Sequence, residues 1–104
     1  AASRYTTVYL VNNPDVSSDS RLKEQVDSIP QWLIDFCMSN EIKRYHMKSG
    51  GTECFGVIIT DEVYEQVNQH TDGLIAKGDD GFYSVRYADW QNILLEGLRR
   101  MAIN

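Results

Sequence analysis

Between Trp90 and Met101 the large apolar side chains fall at Trp90, Ile93, Leu94, Leu98 and Met101, that is at i, i+3, i+4, i+8 and i+11. At 3.6 residues per turn these positions share one side of a helix, and no strand period fits them. Such a helix is stable only when the stripe is covered, so the rest of the chain must supply a layer for it. Asp89, just before Trp90, is the expected N-cap.

The layer is sought upstream. Tyr5 to Val11 reads Y-T-T-V-Y-L-V, β-branched and aromatic throughout, and predicts a strand ended by Asn12-Asn13-Pro14-Asp15. Ser17 to Ser20 offer N-caps for a short helix with Leu22, Val26 and Ile29 at i, i+4, i+7. Pro30 should stop it, while Ser28 and Gln31 fit a capping box for a second helix with Pro30 in its first turn. That second helix carries Trp32, Leu33, Phe36 and Cys37 on one face and ends near Ser39-Asn40.

Two hairpins follow. Ile42 to Lys48 alternates, with Arg44, His46 and Lys48 on one side and Tyr45 and Met47 on the other; Ser49-Gly50-Gly51-Thr52 turns the chain into Cys54 to Ile59. The latter run is apolar on both faces, as in a strand covered from two sides. Thr60 should cap a helix whose start is complemented by Asp61 and Glu62 and which buries Val63 and Val67, stopping near Thr71-Asp72-Gly73. Leu74–Lys77 and Phe82–Tyr87 flank the second turn, Gly78-Asp79-Asp80-Gly81.

The expected order is β-α-α-β-β-α-β-β-α. It implies an α+β domain, a mostly antiparallel sheet of about five strands with three to four helices packed on it. At 104 residues the chain is near the modal size of one domain, so residues 1–104 are read as a single unit.

Charge and motifs narrow the function classes. The net charge of −5 favours solubility and disfavours non-specific binding to nucleic acid or anionic membrane. The longest apolar runs, such as Phe55 to Ile59, are too short to cross a bilayer, and the reading places the protein in the cytoplasm. Cys37 and Cys54 are the only cysteines, with no C-x-x-C, so a structural zinc site is not expected; a Cys37–Cys54 disulfide fits only an exported chain. Phosphate loops, nucleophile elbows and H-E-x-x-H or calcium-loop signatures do not occur, so neither an enzyme nor a cofactor is expected.

Four candidate features remain. Asp79 and Asp80 could hold metal as adjacent acids do in nucleotide polymerases, but Gly and Asp also make a plain solvated turn, which is the preferred reading. His46 and Cys54 face each other across the first hairpin and could form a thiolate pair, although an apolar strand suppresses thiol reactivity. Lys43-Arg44-Tyr45-His46-Met47-Lys48 is the only basic run. It could contact nucleic acid through Lys43, Arg44 and Lys48, or guard an edge strand against unwanted pairing. Lastly, Asp61, Glu62, Glu65, Asp72, Asp79 and Asp80 could converge into an acidic patch.

The expectation is a small acidic protein-binding factor, such as an inhibitor, immunity protein, viral accessory protein or adaptor, docking on a protein with a basic surface. Its candidate face combines Tyr83 and Tyr87, which share a side if Phe82–Tyr87 is one strand, with Asp79 and Asp80 on the rim. The competing account makes Tyr83, Val85 and Tyr87 the core face and leaves Phe82, Ser84 and Arg86 outside. The alternatives are a nucleic-acid-binding module using the strand Lys43–Lys48, and a small enzyme using Cys54, His46 or the acidic turn.

Overall fold

A computed structural model describes residues 17–103 of the chain, so the expected strand Tyr5–Val11 and the turn after it lie outside the described residues. Within them are three α-helices and four strands: α1 (Gln31–Ser39), β1 (Lys43–Tyr45), β2 (Cys54–Gly56), α2 (Asp61–Asn68), β3 (Ile75–Lys77), β4 (Tyr83–Val85) and α3 (Tyr87–Ala102). The class is α+β, as expected. The single sheet of about five strands is not what forms: the described strands make two separate two-stranded antiparallel sheets, β1–β2 and β3–β4.

The predicted helix over Leu22, Val26 and Ile29 is reduced to a 3-10 turn at Ser20–Leu22, capped by Asp19, which also pairs with Arg21. Leu22 and Val26 are 75% and 78% exposed, so the apolar spacing finds nothing to pack on and cannot hold a short helix. Pro30 is the N-cap of α1 rather than part of its first turn, and no side chain caps that end. The capping box is replaced by a longer tie. Arg100, near the end of α3, donates to the Ile29 carbonyl at 2.7 Å and to Gln31 Oε1 at 3.1 Å, and its Nε meets Glu96 at 2.7 Å.

Helix α1 buries Ile34 and Cys37, with Leu33 and Phe36 half-buried beside them, whereas Trp32 turns outward against His70. Its partner is α3, which presents Trp90, Ile93 and Gly97. Gly97 matters because a Cβ there would lie 2.9 Å from Ile34 Cγ2, so the absent side chain is what lets the helices approach. The expected stripe is therefore only partly right. Trp90 and Ile93 are buried and Leu94 half-buried, but Leu98 and Met101 are 60% and 63% exposed. The core continues through Val57, Val67, Leu74 and Ile75, with Phe36 tilted on Trp90 at 5.7 Å.

Both hairpins are shorter than their apolar runs suggest. Gly50 N–H bonds the Met47 carbonyl at 3.0 Å, and Gly50 and Gly51 take φ of +97° and +112°, so the first turn begins before Lys48 and β1 stops at Tyr45. In β2 the ladder ends at Gly56 because Val57 N–H donates to the Tyr87 hydroxyl at 3.1 Å rather than to a strand. Cys54–Ile59 is therefore no central strand: Phe55 is exposed, and β2 pairs with β1 alone among the described residues. Helix α2 forms with the expected cap, Thr60 Oγ1 accepting from Val63 N–H at 3.2 Å. Only Val67 is buried, however, Val63 being half-buried, and the helix ends at Asn68 rather than near Thr71-Asp72-Gly73.

The second turn is a three-residue loop. Gly78 N–H bonds the Phe82 carbonyl at 2.8 Å, Gly81 N–H bonds the Gly78 carbonyl at 2.9 Å, and Gly81 sits at φ +86°. A left-handed residue in that last position is how a turn of this length rejoins a twisted ladder. Strand β4 ends at Val85, two residues earlier than predicted. Arg86 closes both elements: its N–H bonds Leu74 in the ladder, and its carbonyl accepts from Trp90 as the first bond of α3. Arg86 is therefore the N-cap, and Asp89 lies inside the first turn, where its charge complements the helix dipole.

Candidate protein-docking face

The second hairpin and α2 together build a polar and aromatic cluster on the surface. Tyr83 is half-buried in β4, stacked on Tyr64 of α2 with ring centroids 4.8 Å apart and planes at 28°. Its hydroxyl donates to Asp61 Oδ1 at 2.5 Å. That bond to a carboxylate, helped by partial burial and by Asp61 and Glu65 charge, holds the phenol protonated, its pKa pushed up to about 12. Lys77 Nζ lies 5.8 Å from the centre of the same ring. Tyr83 thus joins the acids of α2 to the hairpin that carries Asp79 and Asp80.

At the tip Asp79 and Asp80 are both exposed, and Asp80 Oδ1 accepts from Phe82 N–H at 3.0 Å. That bond gives Asp80 a structural part in the turn. Phe82 beside it is 75% exposed, the most exposed Phe, Trp or Tyr ring among the described residues. Tyr87 is not on the β4 face with Tyr83, because it is the first residue of α3. It lies partly exposed and reaches across to the first hairpin through the bond to Val57.

Between the hairpins runs an open groove of about 630 Å³. One wall is Tyr45, Met47, Val57 and Ile59; the other is Phe82, Tyr83, Val85 and Tyr87. The expected aromatic face therefore divides in two: Tyr83 and Tyr87 turn into the groove, and Phe82 stands on the rim. The exposure of Phe82 fits the competing phase, with Phe82, Ser84 and Arg86 outside; the Asp61–Tyr64–Tyr83 contact was not anticipated. The signal for Phe82 was the length of the Gly-Asp-Asp-Gly turn, because a three-residue loop ending in left-handed Gly81 sets the side-chain phase of β4.

The other candidates find less support. Lys43 pairs with Glu41 at 3.2 Å and Arg44 with Glu53 at 3.5 Å, so half of the basic run engages carboxylates, and Tyr45 turns away into the groove. Lys48 is exposed in the first turn. Cys54 stands opposite Tyr45 rather than His46 in the register, and its thiol donates to the Thr52 carbonyl at 3.5 Å. The Cys–His pair is therefore not assembled. Cys37 is buried, its pKa pushed up to about 11 by desolvation. Both thiols are free, so no Cys37–Cys54 bridge forms. Among the described residues no three His, Cys, Asp or Glu side chains are placed to hold a metal ion. Nor, among them, is any helix long and apolar enough to cross a membrane.

No protein-family model matches the chain, and neither a curated protein nor a solved structure is detectably similar to it.

Proposed function

We propose that the protein is a small acidic binding factor, acting by contact rather than by catalysis, and that the tip and outer face of the β3–β4 hairpin dock on a protein partner with a basic surface. The observation that carries this reading is Phe82. Its ring is 75% exposed and stands beside the carboxylates of Asp79 and Asp80, so an apolar anchor and rim charges lie together at the hairpin tip. Interfaces place aromatic anchors at the centre and charges at the rim, where the charges steer a complementary partner into register. Asp61 and Glu65 extend the negative field on the α2 side, and the Tyr64–Tyr83 stack keeps the hairpin from shifting under load. Two free thiols suit a reducing compartment, which favours the cytoplasm. Such a domain would block or recruit its partner.

The test uses the full chain as bait in native extracts, beside Phe82→Ala and, as a control on the far helix, Leu95→Ala. A partner retained by the unmodified chain and by Leu95→Ala, but lost with Phe82→Ala, supports the docking face. Equal retention by all three refutes it. A partner that is nucleic acid, released by nuclease, would move the site to Lys43, Arg44 and Lys48 instead.

A further inference from the structure

Helix α3 carries a second apolar strip beside the one that packs on α1. Trp90, Ile93 and Gly97 are buried, whereas Leu95, Leu98 and Met101 are 61%, 60% and 63% exposed. Gln91, Leu94, Leu98 and Met101 follow one another at intervals of 3, 4 and 3 residues, the spacing of a coiled-coil seam, with Leu95 and Ala102 alongside. None of these six is charged. Arg99 on the flank is already neutralised by Glu96, through bonds of 2.7 and 2.8 Å. Gln91, Leu94, Leu95 and Leu98 surround an open hollow of about 400 Å³. Those four stand at i, i+3, i+4 and i+7, the set that forms the hole into which a facing helix inserts a side chain. The surface therefore fits a helix with apolar side chains at seam spacing. Among the described helices only α3 has them exposed: α2 exposes no large apolar side chain, and α1 exposes Trp32 and Met38, which fit neither seam interval.

We propose that this strip is the interface of a twofold dimer, in which α3 pairs antiparallel with α3 of a second copy. Leu98 of each copy enters the hollow of the other and meets its Leu94. The same register sets Gln91 over Met101 of the second copy at both ends, because the pairs 94 with 98 and 91 with 101 share one midpoint on the helix. Every seam position is thus used, and the contact is isologous and closed, as twofold symmetry requires. Opposed helix dipoles favour this arrangement, while a parallel pair would set Gln91 on Gln91 inside the seam. The six side chains offer on the order of 500 Å² per copy, so the pair buries about 1,000 Å², the least that a specific interface needs. The dimer is accordingly weak and reversible, with a dissociation constant in the micromolar range or above.

The experiment is analytical ultracentrifugation of the full chain from about 10 μM to about 1 mM, a range that brackets a weak dimer. Monomer should give way to dimer as concentration rises, with nothing larger. Leu98→Glu puts a carboxylate into each hollow and should weaken the dimer by at least about a hundredfold. Gln91→Leu makes the seam apolar throughout and should tighten it by about tenfold. Both positions are exposed in the single chain, so each variant should keep the urea midpoint of the dilute protein. Isotope-filtered NMR on mixed labelled and unlabelled chains reads the register, and contacts from the Met101 methyl to Gln91 of the other copy are expected. A chain that stays monomeric throughout, assemblies that grow past two, a dimer indifferent to Leu98→Glu or one that Gln91→Leu fails to tighten each overturn the proposal. Contacts confined to like-numbered residues overturn it as well, since they mean a parallel pair. None of these readings involves Phe82 or its hairpin, so they stand or fall apart from the docking face.

Discussion

Gly97 tests the packing of α1 on α3 through a sign. In a helix interior Gly→Ala ordinarily stabilises by about 1 kcal/mol, because Gly carries the larger backbone entropy. At position 97 the new methyl would lie 2.9 Å from Ile34 Cγ2, well inside the ~3.5–4.0 Å of an ordinary carbon contact. Ile34 cannot step aside: it is buried and β-branched, with a stiff χ1. Overpacking of this kind costs about 1–3 kcal/mol, so Gly97→Ala should destabilise by about 1 kcal/mol net. Ile34→Ala removes the obstructing methyl. In that background Gly97→Ala should revert to stabilising by about 1 kcal/mol, a coupling of about 2 kcal/mol between the sites. Urea denaturation of the four chains of the cycle, compared at constant m-value, measures all of these quantities. If Gly97→Ala stabilises the unmodified chain, or if the two changes simply add, the helices do not meet at this contact.

Three further outcomes follow from the packing. Trp90→Ala should cost about 3–5 kcal/mol, whereas Leu98→Ala, on the exposed side of the same helix, should cost less than about 0.5 kcal/mol in the same titration. Thr60→Ala should lower stability by about 1 kcal/mol through loss of the bond to Val63 N–H, and Thr60→Ser should restore most of it. Glu96, held down to about 2 by its bonds to Arg99 and Arg100, stabilises the fold above its ordinary value of 4.5. That contribution is lost as pH falls from 4.5 towards 2, and an acid titration of Glu96→Gln should show a flatter loss over that window.

How far these features could be read in advance depended on the range of the interaction that sets them. Thr60 with Asp61 and Glu62, and the glycines of both turns, act on neighbours within a few residues, and each does what its position implies. The stripe of α3 was visible, but the width of its cover was not. Helix α1 reaches Trp90, Ile93 and Gly97 and leaves Leu98 and Met101 open, and the residue of closest approach has no side chain to announce itself. Leu22 and Val26 carried a helical spacing of equal clarity, yet with no surface to bury against it yielded a single turn. Tyr87 continued an aromatic alternation and still began a helix, because its hydroxyl is claimed by Val57, 30 residues away. The candidate face shows the same division. Asp79 and Asp80 stand at the tip where the turn chemistry put them. The Asp61–Tyr83 bond joins residues 22 apart, and no local pattern encodes it.

Hairpin tips are commonly the places where a lineage gains and loses residues without penalty. The Gly78–Phe82 loop is an exception. Gly81 is the extra residue that lets three loop positions rejoin the ladder, and β4 has a period of two. Deleting one residue there would advance β4 by one position against β3. Tyr83 and Val85 would turn outward, Phe82, Ser84 and Arg86 would turn inward, and a guanidinium would face the apolar wall of the groove. Loop length in this hairpin is thus under the kind of constraint usually felt by a core, and variants of this chain should change Asp79 more readily than Asp80 or Gly81, and the loop's count seldom.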